Sequence, residues 1–506
     1  MTTLQPRPPY TDDELATLYP KNLVLEQVQI LLRHGERTPI SARFTNTGLA
    51  TYWPYCAAAA NFRDAVLSTD GKSWDTLHWR RRLETFGPGD GPALATGPDS
   101  NTDAVCQPGE LTDVGRQTTL ALGQRIRRLY VDQLGFLPAI LSTSSTVYLR
   151  STPIQRALES VQQAFVGLYP PSTRAPDLLP PAIVTRAHKD ETLFPNEAGC
   201  QRFAELAGAF AQRAAARWNE SPEMAHLNAR IGKYMPSDSP IVRVDSHPRL
   251  SGIMDSINAT RAHSAKTRLP KEFYEPRVVA AVDRICMEEW FAGYQESREY
   301  RTLGVGPMLG DVTQRMVKRA ITGGGDNHEQ ELKSDNDENF RLSLAGCHDT
   351  TLAGSLVALG AMDATRDPWP NFSASVAFEL FRQETSPATA TPVPTTIAPK
   401  RASWWSSLFG SPAPQPPPTR QPVSSLPSAV LDGYFVRLRY NDVPLALPAC
   451  AAPGSHLPGD ATFCTLAAFK TAVDSFTPRN WKEACRSNLG KSAFPPDGEV
   501  EKPPGL

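Results

Sequence analysis

The stretch ILLRHGERTPI, residues 30–40, sets Arg33, His34 and Arg37 directly behind a run of apolar residues. Two guanidinium groups crowded around one imidazole repel each other unless an anion joins them. The arrangement recurs twice. STVYLRSTPIQRALESVQQAF (145–165) runs a short strand pattern into Arg150, and FRLSLAGCHDTTLAGSLVALG (340–360) runs another into His348 and Asp349. Ligands of open α/β sheets gather at the carboxyl ends of strands, and helices that start there add orphan N–H groups suited to an anion. If the three tips converge, they assemble three arginines, two histidines and one carboxylate. Arginine's planar fork matches phosphate oxygens in a way a lysine point charge does not, so the inventory fits a phosphoryl group.

The chemistry expected of such a pocket is phosphoryl transfer through histidine. His34 would attack phosphorus with a ring nitrogen. Arg33, Arg37 and Arg150 would steady charge on the equatorial oxygens, with a cationic His348 as a further donor. Asp349 would protonate the leaving alkoxide, then accept a proton from the water that attacks the phosphohistidine. The sequence shows no P-loop and no carboxylate set at metal-ligand spacing, so neither a cofactor nor a metal is expected. The other histidines read as structural or surface residues, His188 being the one candidate pocket neighbour.

Particular elements must hold these groups. Val24, Val28, Ile30 and Leu32 are apolar at even positions and Leu31 fills the other face, the mark of an interior strand. ELTDVGRQTTLALGQRIRRLYVDQL reads as a long helix that starts near Thr112 or Asp113. After Arg150, Ser151 or Thr152 would cap a helix carrying Ile154, Leu158, Val161 and Phe165. After Asp349, Leu352, Leu356 and Leu359 mark another helix, which Gly360 can stop. Residues 57–109 are a loop-rich excursion. The chain divides into an N-terminal extension (1–20), an α/β core (21–165 and 337–485), a mainly helical cap (166–336) and a flexible C-terminal tail (486–506). Within the core, residues 383–428 form a proline-rich insertion expected to be disordered: eleven prolines lie between Pro387 and Pro427. Its Trp404, Trp405 and Phe409 would dock on the protein's own surface or contact a partner or a membrane surface.

With 40% hydrophobic and 21% charged residues in a chain of 506, the composition is ordinary for a globular protein. A net charge of −1 gives no general pull toward nucleic acid or an anionic membrane, so any anion affinity has to be local. The N-terminus lacks a signal-type apolar core and carries Asp12, Asp13 and Glu14, and no window suggests a transmembrane helix. Eight cysteines without a CxxC pair suggest a reduced, cytoplasmic setting, with a mitochondrial location or unconventional secretion as alternatives. Cys450 and Cys464 frame a short loop that could close in an oxidising compartment.

RHGERTP, LRST and the HD pair of GCHDTTL resemble the three signatures of the histidine acid phosphatases, the second branch of the histidine phosphatase superfamily. The likeness runs from about residue 24 to 485. GELTDVGRQTTLALGQRIRRLYV, RSTPIQRALES, ETLFPNEAGC and WPNFSASVAFELF look most similar to the lysophosphatidic acid phosphatase type. The resemblance implies an α/β fold: a three-layer α/β/α sandwich core of the phosphoglycerate mutase-like kind with an inserted mainly α-helical cap. It also implies a metal-independent phosphomonoesterase. In that reading His34 is phosphorylated, Asp349 donates the proton, and Arg33, Arg37, Arg150 and His348 bind phosphate. The implied substrate is a lysophospholipid such as lysophosphatidate, with broad monoester activity; an inositol phosphate comes second. The rivals are a phospholigand-binding protein without turnover and a phosphotransferase that passes the group to another acceptor.

Overall fold

A computed structural model describes residues 8–322, 340–384, 420–494 and 500–506. Trp404, Trp405, Phe409 and most of the proline-rich insertion lie outside the described residues. Strand β1 (Leu23–Arg33) is followed by two hairpins, β2 (Phe62–Leu67) with β3 (Trp74–Trp79) and β4 (Glu84–Phe86) with β5 (Pro92–Leu94). Then come β6 (Val147–Ser151), β7 (Ile183–Val184), β8 (Leu342–Cys347), β9 (Ser375–Gln383), β10 (Tyr434–Tyr440), β11 (Val443–Leu445), β12 (His456–Leu457) and β13 (Asp460–Thr465). All but the two hairpins form one nine-stranded sheet in the order β12-β13-β10-β9-β1-β8-β6-β7, with β11 beside β10. β1, β8, β6 and β7 run parallel, while β9 is antiparallel to β1.

β1 lies in the middle because neither of its faces is suited to water. Val28, Ile30 and Leu32 pack into one cluster with Leu122, Ile126, Val161 and Leu168; Leu31 joins the opposite cluster with Leu352, Leu356 and Phe378. Each such side chain contributes roughly 1.5–3 kcal/mol when fully buried. The first cluster rests under helices α2 (Asp113–Arg127) and α3 (Gln155–Leu168), which follow the N-terminal α1 (Asp12–Leu18). The chain then builds the cap from α4 (Gln201–Trp218), α5 (Pro222–Ile231), α6 (Leu250–Arg261), α7 (Pro276–Glu296) and α8 (Arg298–Gly304). Helix α9 (Gly306–Thr322) returns to the sheet, where Gln29 Nε2 donates to the Val312 carbonyl at 2.9 Å. With α10 (Asp349–Ala358), α11 (Ser428–Leu431), α12 (Leu466–Asp474) and α13 (Trp481–Ala484) following, the sheet is covered on both faces and the mixed α/β architecture stands as expected. The cap is shorter than its expected range: β7 belongs to the sheet and α9 to the layer beneath it.

Described residues near both ends of the chain are tied down. Buried Glu379 on β9 accepts hydrogen bonds from Arg437 Nε at 2.8 Å and from the hydroxyls of Tyr19 and Tyr130, each at 2.7 Å, and forms an ion pair with Arg437 Nη2 at 2.7 Å. Arg437 also donates to the Leu18 carbonyl, and Arg439 to the Tyr10 hydroxyl at 2.5 Å, which seats residues 10–18 behind the sheet. The C-terminal segment, expected to be a flexible tail, docks instead. Arg202 donates to the Lys491 carbonyl at 2.8 Å, and Arg301 to the carbonyls of Glu501 and Lys502 at 2.9 and 3.0 Å. Three disulfides join Cys56 to Cys106, Cys200 to Cys485 and Cys450 to Cys464. Only the last was visible as a spacing. Among the described residues, no helix is long and apolar enough to cross a membrane.

Candidate active site

The parallel register decides which residues reach the rim. Arg33 at the end of β1 stands beside Cys347 at the end of β8, so His34 and His348 both leave the sheet at the same level. The two rings lie 5.5 Å apart between centroids. Arg150 pairs with Ala345, two residues below that rim, and the next strand residue, Ser151, pairs with Gly346. Thr152 is the residue of this segment that reaches His348: its Oγ1 is 3.1 Å from His348 Nε2.

The loop after β1 is held tightly. Gly35 donates its N–H to Ser160 Oγ at 3.1 Å, and Ser160 in turn donates to the Arg156 carbonyl at 2.7 Å. A Cβ at Gly35 would stand 2.3 Å from the Gly115 carbonyl oxygen, so only glycine fits where this loop crosses the start of α2. His34 is buried, and its Nδ1 lies 2.8 Å from the Gly35 carbonyl. A carbonyl only accepts, so Nδ1 carries the proton and Nε2 keeps the lone pair. Burial, then the charges of Arg156, Arg33 and Arg37, push the His34 pKa well below its ordinary value. The neutral ring, with its lone pair on Nε2, is therefore the favoured form.

His348 was expected to be cationic beside bound phosphate; within the protein itself, burial and the neighbouring charge of Arg156 lower its pKa, outweighing Asp349. Asp349 opens α10 directly after it. Arg33 Nη2 meets Asp349 Oδ2 at 2.5 Å, and the Trp369 indole N–H donates to the same oxygen at 3.0 Å. Burial alone would raise the Asp349 carboxyl, but Arg33, the Trp369 hydrogen bond and Arg37 hold it below its usual value. Arg33 also donates to the Pro370 carbonyl and lies over the Phe372 ring, 4.3 Å from its centroid.

Arg37 is braced by the cap. Its Nη1 donates to Asp255 Oδ1 at 2.6 Å, while Arg43 Nη1 reaches Asp255 Oδ2 at 3.0 Å and the Ile40 N–H donates to that oxygen at 3.0 Å. Asp255 lies on α6, so one carboxylate fixes the cap against the loop that carries Arg37.

Arg150 and Arg156 divide differently from the sequence expectation. Arg150 Nη2 donates to buried Glu191 Oε1 at 2.6 Å, and the charges that act on it are Glu191, Arg186 and Asp311. Arg156, in the first turn of α3, feels Arg37, Asp349, Arg33 and Asp255; burial, aided by Arg37, pulls its pKa down to about 10. It is also the largest charge acting on both imidazoles. The Nε atoms of Arg33, Arg37 and Arg156 are buried with no hydrogen-bond partner among the described residues. Three cations thus face two neutral imidazoles with donors unspent, an arrangement that suits a tetrahedral anion. Arg156, Asp255 and Trp369 were missed as site residues. Only Arg156 had a signal, the RSTPIQR spacing that puts it on the first turn of a helix aimed at the rim.

A model of the histidine phosphatase superfamily (branch 2) matches residues 24–391. A probable acid phosphatase of Schizosaccharomyces pombe is 33% identical over 468 residues, which cover 92% of this chain and 95% of its own. Human lysophosphatidic acid phosphatase type 6 is 26% identical over 277 residues, 54% of this chain and 57% of its own. The phytase of Hafnia alvei in complex with tartrate shares the fold, with a TM-score of 0.51 at 13% identity over 92% of this chain and 99% of that one.

Proposed function

This chain belongs to branch 2 of the histidine phosphatase superfamily, and from that premise and the geometry of its strand ends we infer that it hydrolyses phosphomonoesters through a phosphohistidine on His34. The observation that carries the reading is the ring of Arg33, Arg37 and Arg156 with buried, unspent donors around an imidazole whose Nε2 is free to attack. The phosphoryl group sits among the three guanidinium groups, which gather charge on its equatorial oxygens. Nε2 of His34 attacks phosphorus in line, and the ester oxygen leaves on the side of Asp349. Arg150 acts through Glu191: it positions the segment that backs His348 rather than touching the phosphate.

Proton supply follows from the electrostatics. Asp349 is ionised in the free protein, so the proton for the leaving alkoxide has to enter with the substrate. A phosphomonoester loses its second proton near pH 6, so below roughly pH 6 the bound monoanion brings that proton to the carboxylate. Phosphate charge also offsets the arginine field and favours protonated Asp349 and His348. Water then attacks the phosphohistidine while Asp349 takes its proton. The rate per enzyme should therefore fall above about pH 6, the behaviour of an acid phosphatase.

For the substrate we favour a lysophospholipid such as lysophosphatidate, supported by the likeness to lysophosphatidic acid phosphatase type 6 across half the chain. We place maturation in an oxidising compartment rather than the cytoplasm, because three cysteine pairs stand at bonding distance and a reducing setting would keep them open. Release of phosphate from an aryl phosphate tests the chemistry. His34→Ala should abolish it and acid-labile phosphate on the wild-type chain should be trapped at His34; turnover by His34→Ala would refute the nucleophile.

A further inference from the structure

The segment PWPNFS, residues 368–373, joins α10 to β9 and passes along the rim of the site. Pro370 disfavours a helical turn at Trp369, so the chain runs extended through the tryptophan. The residues after it serve the nucleophile's side. The Pro370 carbonyl accepts from Arg33, and the Phe372 ring lies 4.3 Å from the Arg33 guanidinium. The Ser373 N–H donates to the His34 carbonyl at 3.1 Å. Trp369 turns instead to the acid, and its indole N–H donates to Asp349 Oδ2 at 3.0 Å.

The acceptor positions of Asp349 can be counted. An ionised carboxylate offers two lone pairs on each oxygen. Oδ2 meets Arg33 Nη2 in an ion pair at 2.5 Å and the Trp369 indole in a hydrogen bond. Oδ1 accepts one bond, from the Thr350 N–H at 2.9 Å. Among the described residues the open position is therefore on Oδ1, and the proton passed to the leaving alkoxide belongs there. The indole is buried and backed by the cap: Trp290 and Phe291, consecutive on α7, meet it with ring centroids at 6.1 and 5.0 Å. These rings carry no charge, so α7 acts on the carboxylate by fixing where the indole N–H points.

We propose that Trp369 is a positioning residue for the general acid: its N–H decides which Asp349 oxygen carries the proton, and cap helix α7 holds that N–H in place through Trp290 and Phe291. The inference rests on the phosphatase reading above and adds a residue to its acid–base step. The charged groups facing Asp349 are Arg33 of β1, Arg37 of the loop after it and Arg156 of α3, with His348 adjacent. The Trp369 bond joins Arg33 and Arg37 in favouring the carboxylate. Without it, the proton of the enzyme–substrate complex is held to higher pH.

The test compares kcat for glycerol phosphate and an aryl phosphate between pH 4 and 8 in wild type, Trp369→Phe and Trp290→Leu, with urea unfolding alongside. Trp369→Phe should lower the ratio of glycerol phosphate to aryl phosphate turnover about tenfold, because a good leaving group needs little protonation. Its alkaline limb for glycerol phosphate should move upward by about half a pH unit. Trp290→Leu changes a more exposed ring and should lower the same ratio about threefold. A ratio within twofold of wild type in Trp369→Phe would overturn the proposal, as would an unmoved limb, since a merely structural loss scales the profile without shifting it. An unchanged ratio in Trp290→Leu would overturn the role of α7. Should Trp369→Phe fail to fold, the Trp290→Leu ratio decides. Aryl phosphate turnover by wild type separates the two levels: its absence would overturn the phosphatase reading, while its presence with unmoved ratios would overturn the role of Trp369 alone.

Discussion

Replacing Arg156 and Arg150 by glutamine, one at a time, separates a phosphate-holding arginine from a positioning one. Arg156 offers a phosphoryl group charge-assisted hydrogen bonds worth about 1.5–3 kcal/mol each. Losing two would lower kcat/KM by roughly 10²- to 10⁴-fold. Arg156 is also the largest charge that depresses His34, so its removal should move the acidic limb of the pH–rate profile upward, because a protonated imidazole cannot attack. Arg150→Gln should behave otherwise. It leaves Glu191 fully buried, though still accepting the N–H groups of Thr192 and Leu193 at 2.7 Å each. Breaking a buried pair costs about 3–5 kcal/mol, and those two bonds place this case at the lower end, so the urea midpoint should fall while folded enzyme keeps most of its turnover. The assay is phosphate release from an aryl phosphate between pH 3 and 8, with urea unfolding of each variant alongside. If Arg150→Gln loses turnover at unchanged stability while Arg156→Gln keeps both rate and pH profile, the geometric assignment fails.

Two further predictions address proton supply and acid tolerance. Asp349→Asn should slow alkyl phosphates at least tenfold more than aryl phosphates, because a good leaving group needs less protonation; equal losses across a leaving-group series would count against Asp349 as the acid. Glu379 is pulled by Arg437 and Arg439, against the effect of burial, down to about 2. A depressed carboxyl stabilises the fold above its unfolded value near 4.3 and loses that contribution as pH falls toward 2, roughly 3 kcal/mol in all. Stability measured by urea unfolding should thus hold from pH 7 to about 5 and drop between 4 and 2. Glu379→Gln should be less stable at neutral pH and show a shallower drop; an unchanged slope would show that another group governs the acid limb.

The strand ends were legible because an apolar run and its polar tip share one short segment there. β1 is apolar on both faces and then turns abruptly cationic, and β8 runs straight into His348 and Asp349. Their convergence followed from the rule that parallel strands of one sheet end at one edge. Arg150 escaped that logic through register alone, since its pairing with Ala345 leaves it two residues short of the rim. No local pattern reports where a strand stops relative to its neighbour. Asp255 and Trp369 were invisible for another reason: each is ordinary in its own segment and acquires meaning only from Arg37 and Asp349, more than two hundred residues away for one and twenty for the other. The cysteines show the same limit, since a pair separated by 285 positions leaves no spacing to read.

That long-range bond has a topological consequence. Cys200 begins the cap and Cys485 follows the last core helix, so everything between them is one covalent ring that contains α4 through α13, His348, Asp349 and the whole proline-rich insertion. A single cut anywhere in the ring opens it without releasing a piece. Proteolytic processing inside residues 201–484 would therefore yield a two-chain molecule of full mass until a reductant is added; a cut between Cys200 and His348 would leave His34 and His348 on different polypeptides still held together by sulfur.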